Sequence, residues 1–140
     1  RNADMKTWNV VTVSYVTTGK DGGKAVVTPF GDFLIAYGKP VMQYTSDIDP
    51  SKVVGDASFA VRFSGGGYLH GIPSMFEPAG NRAARKAATA RKLGTYPESH
   101  KCVRHLDDQI KFIYNWLGNS TPGSKTGYRV PEVPAMVIVK

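Results

Sequence analysis

A mainly β fold is predicted for this chain of 140 residues, and three observations predict it. Runs rich in Val, Thr, Tyr and Phe recur, several of them alternating with polar or small residues as half-buried strands do. Fifteen glycines and nine prolines supply turn chemistry in an amount that a helical bundle does not need. Helical periodicity is confined to two stretches, one in the eighties and one following the single cysteine. At 15.2 kDa the chain has the size of one domain, 1–140, and can bury a core without disulfides or metals.

Taken in order, Trp8–Thr18 is β-branched and partly alternating, which predicts the first strand, and Gly19–Gly23 predicts a turn. Thr28-Pro29-Phe30-Gly31 is a second turn, because Pro fixes φ and Gly permits a positive one; Asp32–Tyr37 then starts a strand. Gly38, Pro40, Asp47, Asp49 and Pro50 predict a loose connection of short elements. Ser58–Phe63 alternates like a half-buried strand. Gly65-Gly66-Gly67 marks a hairpin or a close backbone approach, and Tyr68–Ile72 is a short strand carrying His70.

Asn81 is placed to cap a helix over Arg82–Leu93, with Gly94 at its left-handed stop. Arg82, Arg85, Lys86, Arg91 and Lys92 meet no acidic residue between Pro78 and Pro97, and the apolar face is thin. The segment reads as an exposed basic helical insertion: either a solvated face, or a lid in which Arg82, Arg85 and Lys86 contact an anionic substrate. Val103, Leu106, Ile110, Phe112, Ile113, Trp116 and Leu117 have helical spacing, with Asp107 and Asp108 in the first turn and Gly118 at the end. This stripe predicts a core-facing helix. Asn119–Gly127 predicts a polar turn, and Ala135–Val139 a buried terminal strand.

The net charge is +7 and the pI about 9.6, which suits an anionic partner: nucleic acid, an acidic membrane or a cell-wall polymer. Nucleic acid is set aside, since no stacking platform or base-reading motif accompanies the charge. No apolar run approaches the ~18 residues a membrane span requires. Because the chain opens at Arg1, it is read as a domain excised from a longer exported protein, with any membrane anchor supplied by a segment upstream. One cysteine excludes an intrachain disulfide and a cysteine-rich zinc site, and no metal or cofactor is expected.

That cysteine is the chemical focus. Ser99-His100-Lys101-Cys102-Val103-Arg104 surrounds it with polar and cationic side chains, and His70 stands upstream in Tyr-Leu-His-Gly. A thiol attacks as the thiolate, and a free cysteine of pKa ~8.5 is only a few per cent ionised at pH 7. Neighbouring imidazole or cationic groups lower that value, and several are in reach here. The bland reading is a buried cysteine packing as a small hydrophobe.

The Thr28-Pro29-Phe30-Gly31 turn, the Leu69-His70-Gly71 strand end, the Ser-His-Lys-Cys-Val-Arg run before an amphipathic helix, and the terminal Pro-x-Met-Val-Ile-Val strand occur in one order. Together they resemble the L,D-transpeptidase catalytic domain of the YkuD type. The resemblance implies a β-sandwich or barrel-like pair of sheets with a helix after the cysteine. It also implies an acyl transfer on peptidoglycan stem peptides in the envelope of a bacterium, with Cys102 as nucleophile and His70 as base. The Gly71 carbonyl would orient His70, and the backbone amides of Lys101 and Cys102 would form the oxyanion hole. Tyr68, Ser99, His100 and Arg104 would shape the substrate pocket, and carbapenem β-lactams are the expected inhibitors. Two departures stand out: Lys101 replaces the glycine usual in the motif, and the interval from His70 to Cys102 is lengthened by the basic helix.

Three other readings are weighed. Sortase-like transpeptidases also set a histidine before a cysteine, but their cysteine ends a strand in a Thr-Leu-x-Thr-Cys context, whereas here a helix follows. Papain-like order runs Cys before His, and only His105 lies downstream. A wall-binding module that kept the fold and lost the activity through Lys101 is the non-enzymatic alternative.

Overall fold

The computed structural model describes residues 4, 6–22, 26–118 and 128–140. Its larger sheet is built on a long strand, β3 (Val53–Ser64), flanked by β2 (Tyr37–Thr45) and β4 (Gly67–His70) in antiparallel order. A short strand β6 (Val103–Arg104) adds to β4 in parallel, and β5 (Ser74–Met75) pairs with the N-terminal part of β3. A separate antiparallel pair joins β1 (Gly31–Leu34) to β7 (Met136–Val139). Two helices complete the described elements, α1 (Arg82–Ala90) and α2 (Asp107–Trp116). The expected mainly β fold with a helix after the cysteine is present as two sheets; among the described residues they do not close into a barrel.

The core lies where β3, β4, β6, α2 and the β1–β7 pair meet. Val61, Phe63, Leu69, Val103, Ile110 and Tyr114 are buried there, with Leu117 and Ala135 beside them. Of the stripe on α2, Ile110 and Leu117 enter this core, while Phe112 and Trp116 remain exposed on the outer face. Asp107 and Asp108 occupy its first turn, where the helix dipole favours acids, and Gly118 leaves the helix at φ 105°.

Several expected elements differ. Among the described residues Trp8–Thr18 forms no strand: Thr17 bridges Arg104, Gly19 just beyond it bridges Ser99, and Val13 is 83% exposed. β-branched composition favours a strand only where a ladder partner exists, and this segment finds one only at its end. The loose connection expected after Gly38 is instead the nine-residue β2. Pro40 is tolerated because β2 lies at the end of its sheet, where a missing N–H leaves little unpaired. Asp32–Tyr37 is split between β1 and the start of β2. The terminal strand is half-exposed, with Met136 and Ile138 facing outwards, because β1 and β7 pair only with each other. The basic helix ends at Ala90, short of Leu93, and Asn81 makes no side-chain cap. The turn expected at Asn119–Gly127 lies outside the described residues.

Candidate active site

The register of β4 against β6 sets Leu69 beside Val103 and His70 beside Arg104. Side chains two apart on a strand share a face. Leu69 and Val103 therefore point together into the core, and His70, Arg104 and Cys102 line a cleft of about 730 Å³ on the opposite side. That is the size range of small-molecule and peptide pockets. Two residues distant in sequence, His70 and Cys102, meet at one cleft because a parallel strand pair places them there.

His70 is 2% exposed, and its Nδ1 lies 2.7 Å from the Gly71 carbonyl oxygen. A carbonyl only accepts, so Nδ1–H donates and Nε2 is left as the basic nitrogen. Burial pushes His70 down to about 4; the bond to Gly71 opposes this, and the charges of Arg104 and His105 add to it. At neutral pH the ring is uncharged and able to take a proton.

Cys102 is buried as well, with Sγ 3.7 Å from the Gly66 carbonyl of the β3–β4 hairpin. Burial pushes its thiol up; the Tyr68 backbone N–H and the charges of Arg104, Lys101 and Lys39 pull it back only in part. The expectation that neighbouring cations leave the thiol pKa lowered is corrected by this balance. The cations are there, but desolvation of the thiolate outweighs them. The pair rests as thiol and neutral imidazole.

Lys101 adopts φ 65°, the left-handed region where a side chain costs on the order of 1–2 kcal/mol. The strain is held by neighbours. Lys101 N–H donates to Val26 O at 2.6 Å, Thr28 Oγ1 donates to Lys101 O at 3.0 Å, and Lys101 Nζ donates to Gly65 O. Cys102 N–H donates to His100 O at 2.7 Å. Both amides expected in an oxyanion hole are thus engaged by backbone carbonyls in this conformation.

Residues 3–131 match the L,D-transpeptidase catalytic domain family (YkuD), which is most of the chain. The chain belongs to that family. Among solved structures, an L,D-transpeptidase from Mycobacterium smegmatis is similar at a TM-score of 0.54 and 21% identity, a likeness of fold. The match covers 91% of this chain and 48% of that one, so the chain spans about half the length of that protein. Comparison with curated proteins returned no match.

Within this L,D-transpeptidase domain the other expected site residues are distributed unevenly. Ser99 is buried in the cleft wall, bonded through its backbone to Thr18 and Lys20, and His100 is exposed at the rim. Arg104 lines the cleft and pairs with Glu98 at 3.4 Å. The Tyr68 side chain is not among the cleft-lining groups; its hydroxyl lies 3.1 Å from that of Tyr37, with Lys39 above the ring. What Tyr68 offers the cysteine is its backbone N–H. On α1, Arg82 and Arg85 line the cleft, whereas Lys86 turns away to Asp107. The absence of acids near α1 in sequence does not carry into space. Arg82 approaches Asp56 at 3.6 Å and Ser74 Oγ at 3.1 Å, and Arg85 donates to the carbonyls of Pro78 and Met75.

Two further residues matter to the site. Tyr44 lines the cleft with its ring edge-on to His70 at 6.2 Å, and burial raises its hydroxyl pKa. The signal was available in the alternation from Val41 to Thr45, once Pro40 is read as an edge-strand proline. Asp107, legible in the sequence only as a helix-start acid, reaches back in space to the loop after His70.

Proposed function

We propose that this domain catalyses L,D-transpeptidation on peptidoglycan stem peptides in the bacterial cell envelope. His70 Nε2 takes the Cys102 proton as sulfur attacks the carbonyl of the third stem residue. The tetrahedral intermediate collapses with C–N cleavage, and the imidazolium returns the proton to the departing D-alanine amine. A thioester remains on Cys102. An amine of a second stem then attacks it, the carbon–sulfur bond breaks, and the thiol is restored with a new amide cross-link. No oxidant, metal or cofactor enters this balance.

The single observation that carries the reading is a buried neutral histidine, oriented by the Gly71 carbonyl, sharing a cleft with the buried cysteine in a chain of this family. Arg82, Arg85 and Arg104 give the cleft a cationic wall that suits a stem peptide carrying carboxylates. For the amides of Lys101 and Cys102 to hold the oxyanion, the 100–102 turn must release the carbonyls of His100 and Val26 on acylation.

That engaged turn favours one alternative, a wall-binding module without activity. Incubation with a carbapenem, read by intact mass, separates the two. An adduct of the drug on the wild type that is lost in Cys102→Ala supports the enzyme. The absence of any adduct, with retention on isolated peptidoglycan sacculi, overturns it in favour of the binding module.

A further inference from the structure

The carbonyl that receives the His70 ring belongs to a peptide unit whose other end is also held. Gly71 C=O and Ile72 N–H are the two poles of one planar group, pointing in opposite directions because the peptide is trans. The oxygen accepts from His70 Nδ1–H at 2.7 Å, and the N–H donates to Asp107 Oδ1 at 2.9 Å. Rotating this plane to spoil one bond spoils the other.

Asp107 is itself fixed from three directions. It is the first residue of α2, where the helix N-terminus favours a carboxylate. Its Oδ2 accepts from Ser58 Oγ at 3.3 Å and from Lys86 Nζ on α1. Gly71 makes the close approach possible: a Cβ there would stand 2.5 Å from Asp107 Oδ1 and 2.7 Å from the Ser58 carbonyl, which accepts the Gly71 N–H. The residue after the histidine is therefore confined to glycine by the Ser58 backbone carbonyl together with the carboxylate behind it.

We propose that Asp107 is a positioning residue for His70, acting through the Gly71–Ile72 peptide as a carboxylate–peptide–imidazole chain. The carboxylate sets the angle of the peptide plane and polarises it, so that the Gly71 oxygen accepts more strongly and the imidazole becomes more basic. Lys86 joins the same carboxylate, which ties the position of α1 over the cleft to the orientation of the base. The proposal rests on Cys102 and His70 being nucleophile and base.

Its test uses iodoacetamide as a probe of Cys102, with the alkylation rate followed across pH and carbapenem acylation measured in parallel. Asp107→Ala is expected to slow alkylation about tenfold or more, the scale of a misplaced reacting group. The acid limb governed by His70 should move to lower pH. Asp107→Asn keeps an oxygen for Ile72 N–H without the charge, and should recover the rate to within about threefold of wild type while leaving the limb shifted. The His70 Nδ1–H proton resonance should move upfield in both variants. A lowered melting temperature with unchanged rate, limb and resonance would mean that Asp107 only supports the fold, and the proposal fails. If the alanine variant does not fold, an unshifted limb and resonance in Asp107→Asn overturn it as well. Alkylation that depends on His70 and Asp107, in a protein that no carbapenem or stem peptide acylates, would instead sink the transpeptidase reading and leave this inference standing.

Discussion

His70 and His105 are both buried, both pushed to about 4 chiefly by burial, and joined by the His105 N–H donating to the His70 carbonyl at 2.8 Å. His70 lines the cleft with Cys102 and Tyr44, and its ring differs from that of His105 in its hydrogen bonding too. His70 Nδ1 has the Gly71 carbonyl, whereas both ring nitrogens of His105 are buried without a hydrogen-bond partner among the described residues. Burial alone makes an imidazole neutral, which a base must be. It does not fix the tautomer, which decides where the proton goes. That comes from one carbonyl, and in this fold from the peptide plane behind it.

The largest expected effect breaks the pair apart. His70→Gln should slow carbapenem acylation of Cys102 by about 10²–10⁴-fold, the usual worth of a positioned general base. His105→Gln should leave the rate within about twofold. Stopped-flow fluorescence of the acylation step checks both, and a comparable loss in the two variants would refute the assignment of His70. In the wild type, acylation should persist well below pH 6 and fall only near pH 4, where His70 takes up its proton. An acid limb centred at 6.5 would mean an ordinary exposed imidazole.

The next effect is on stability. Each histidine has a folded pKa depressed from 6.5 to about 4, so between those values the unfolded chain binds more protons. The stability is fully present above pH 6.5 and is lost as pH falls towards 4, by roughly 3 kcal/mol for each imidazole. His105→Leu should make this acid loss shallower by about that amount, leaving the transferase chemistry unaltered. It also removes two unbonded buried nitrogens, so about 1–2 kcal/mol of added stability is expected at pH 7. Urea unfolding at pH 7 and pH 4 measures both changes. Equal acid sensitivity in variant and wild type would show that His105 titrates normally.

How far the sequence reveals this arrangement depends on whether the deciding contact is local. The unusual motif types around Cys102 and His70 suggest that the two belong together, and Gly118 marks the end of α2 through its own backbone freedom, whereas Gly94 takes the expected positive φ four residues beyond the last residue of α1. The hairpin at Gly65–Gly67 is legible for the same reason. Trp8–Tyr15 misleads because propensity says nothing about which strand lies alongside, and among the described residues this segment has no ladder partner. Tyr44 stayed hidden behind Pro40, whose meaning depends on strand order. The resemblance names His70 as the base, but what separates its ring from that of His105 lies in a carbonyl contact that neither histidine's sequence neighbours announce.

The smallest effect concerns the thiol that shares the cleft with His70. Lys101→Gly removes the left-handed penalty, on the order of 1–2 kcal/mol, and adds back part of it through the greater freedom of glycine when unfolded. A net gain of about 1 kcal/mol is expected, seen as a rise of a few degrees in melting temperature. The same substitution deletes a positive charge that favours the Cys102 thiolate, so iodoacetamide alkylation at pH 7 should become slower while the protein becomes more stable. The opposed signs are the informative part. If stability and reactivity both rise, Lys101 contributes strain without electrostatic benefit to the sulfur. If both fall, its tether to the Gly65 carbonyl is holding the hairpin against the cysteine, and the turn geometry matters more than the charge.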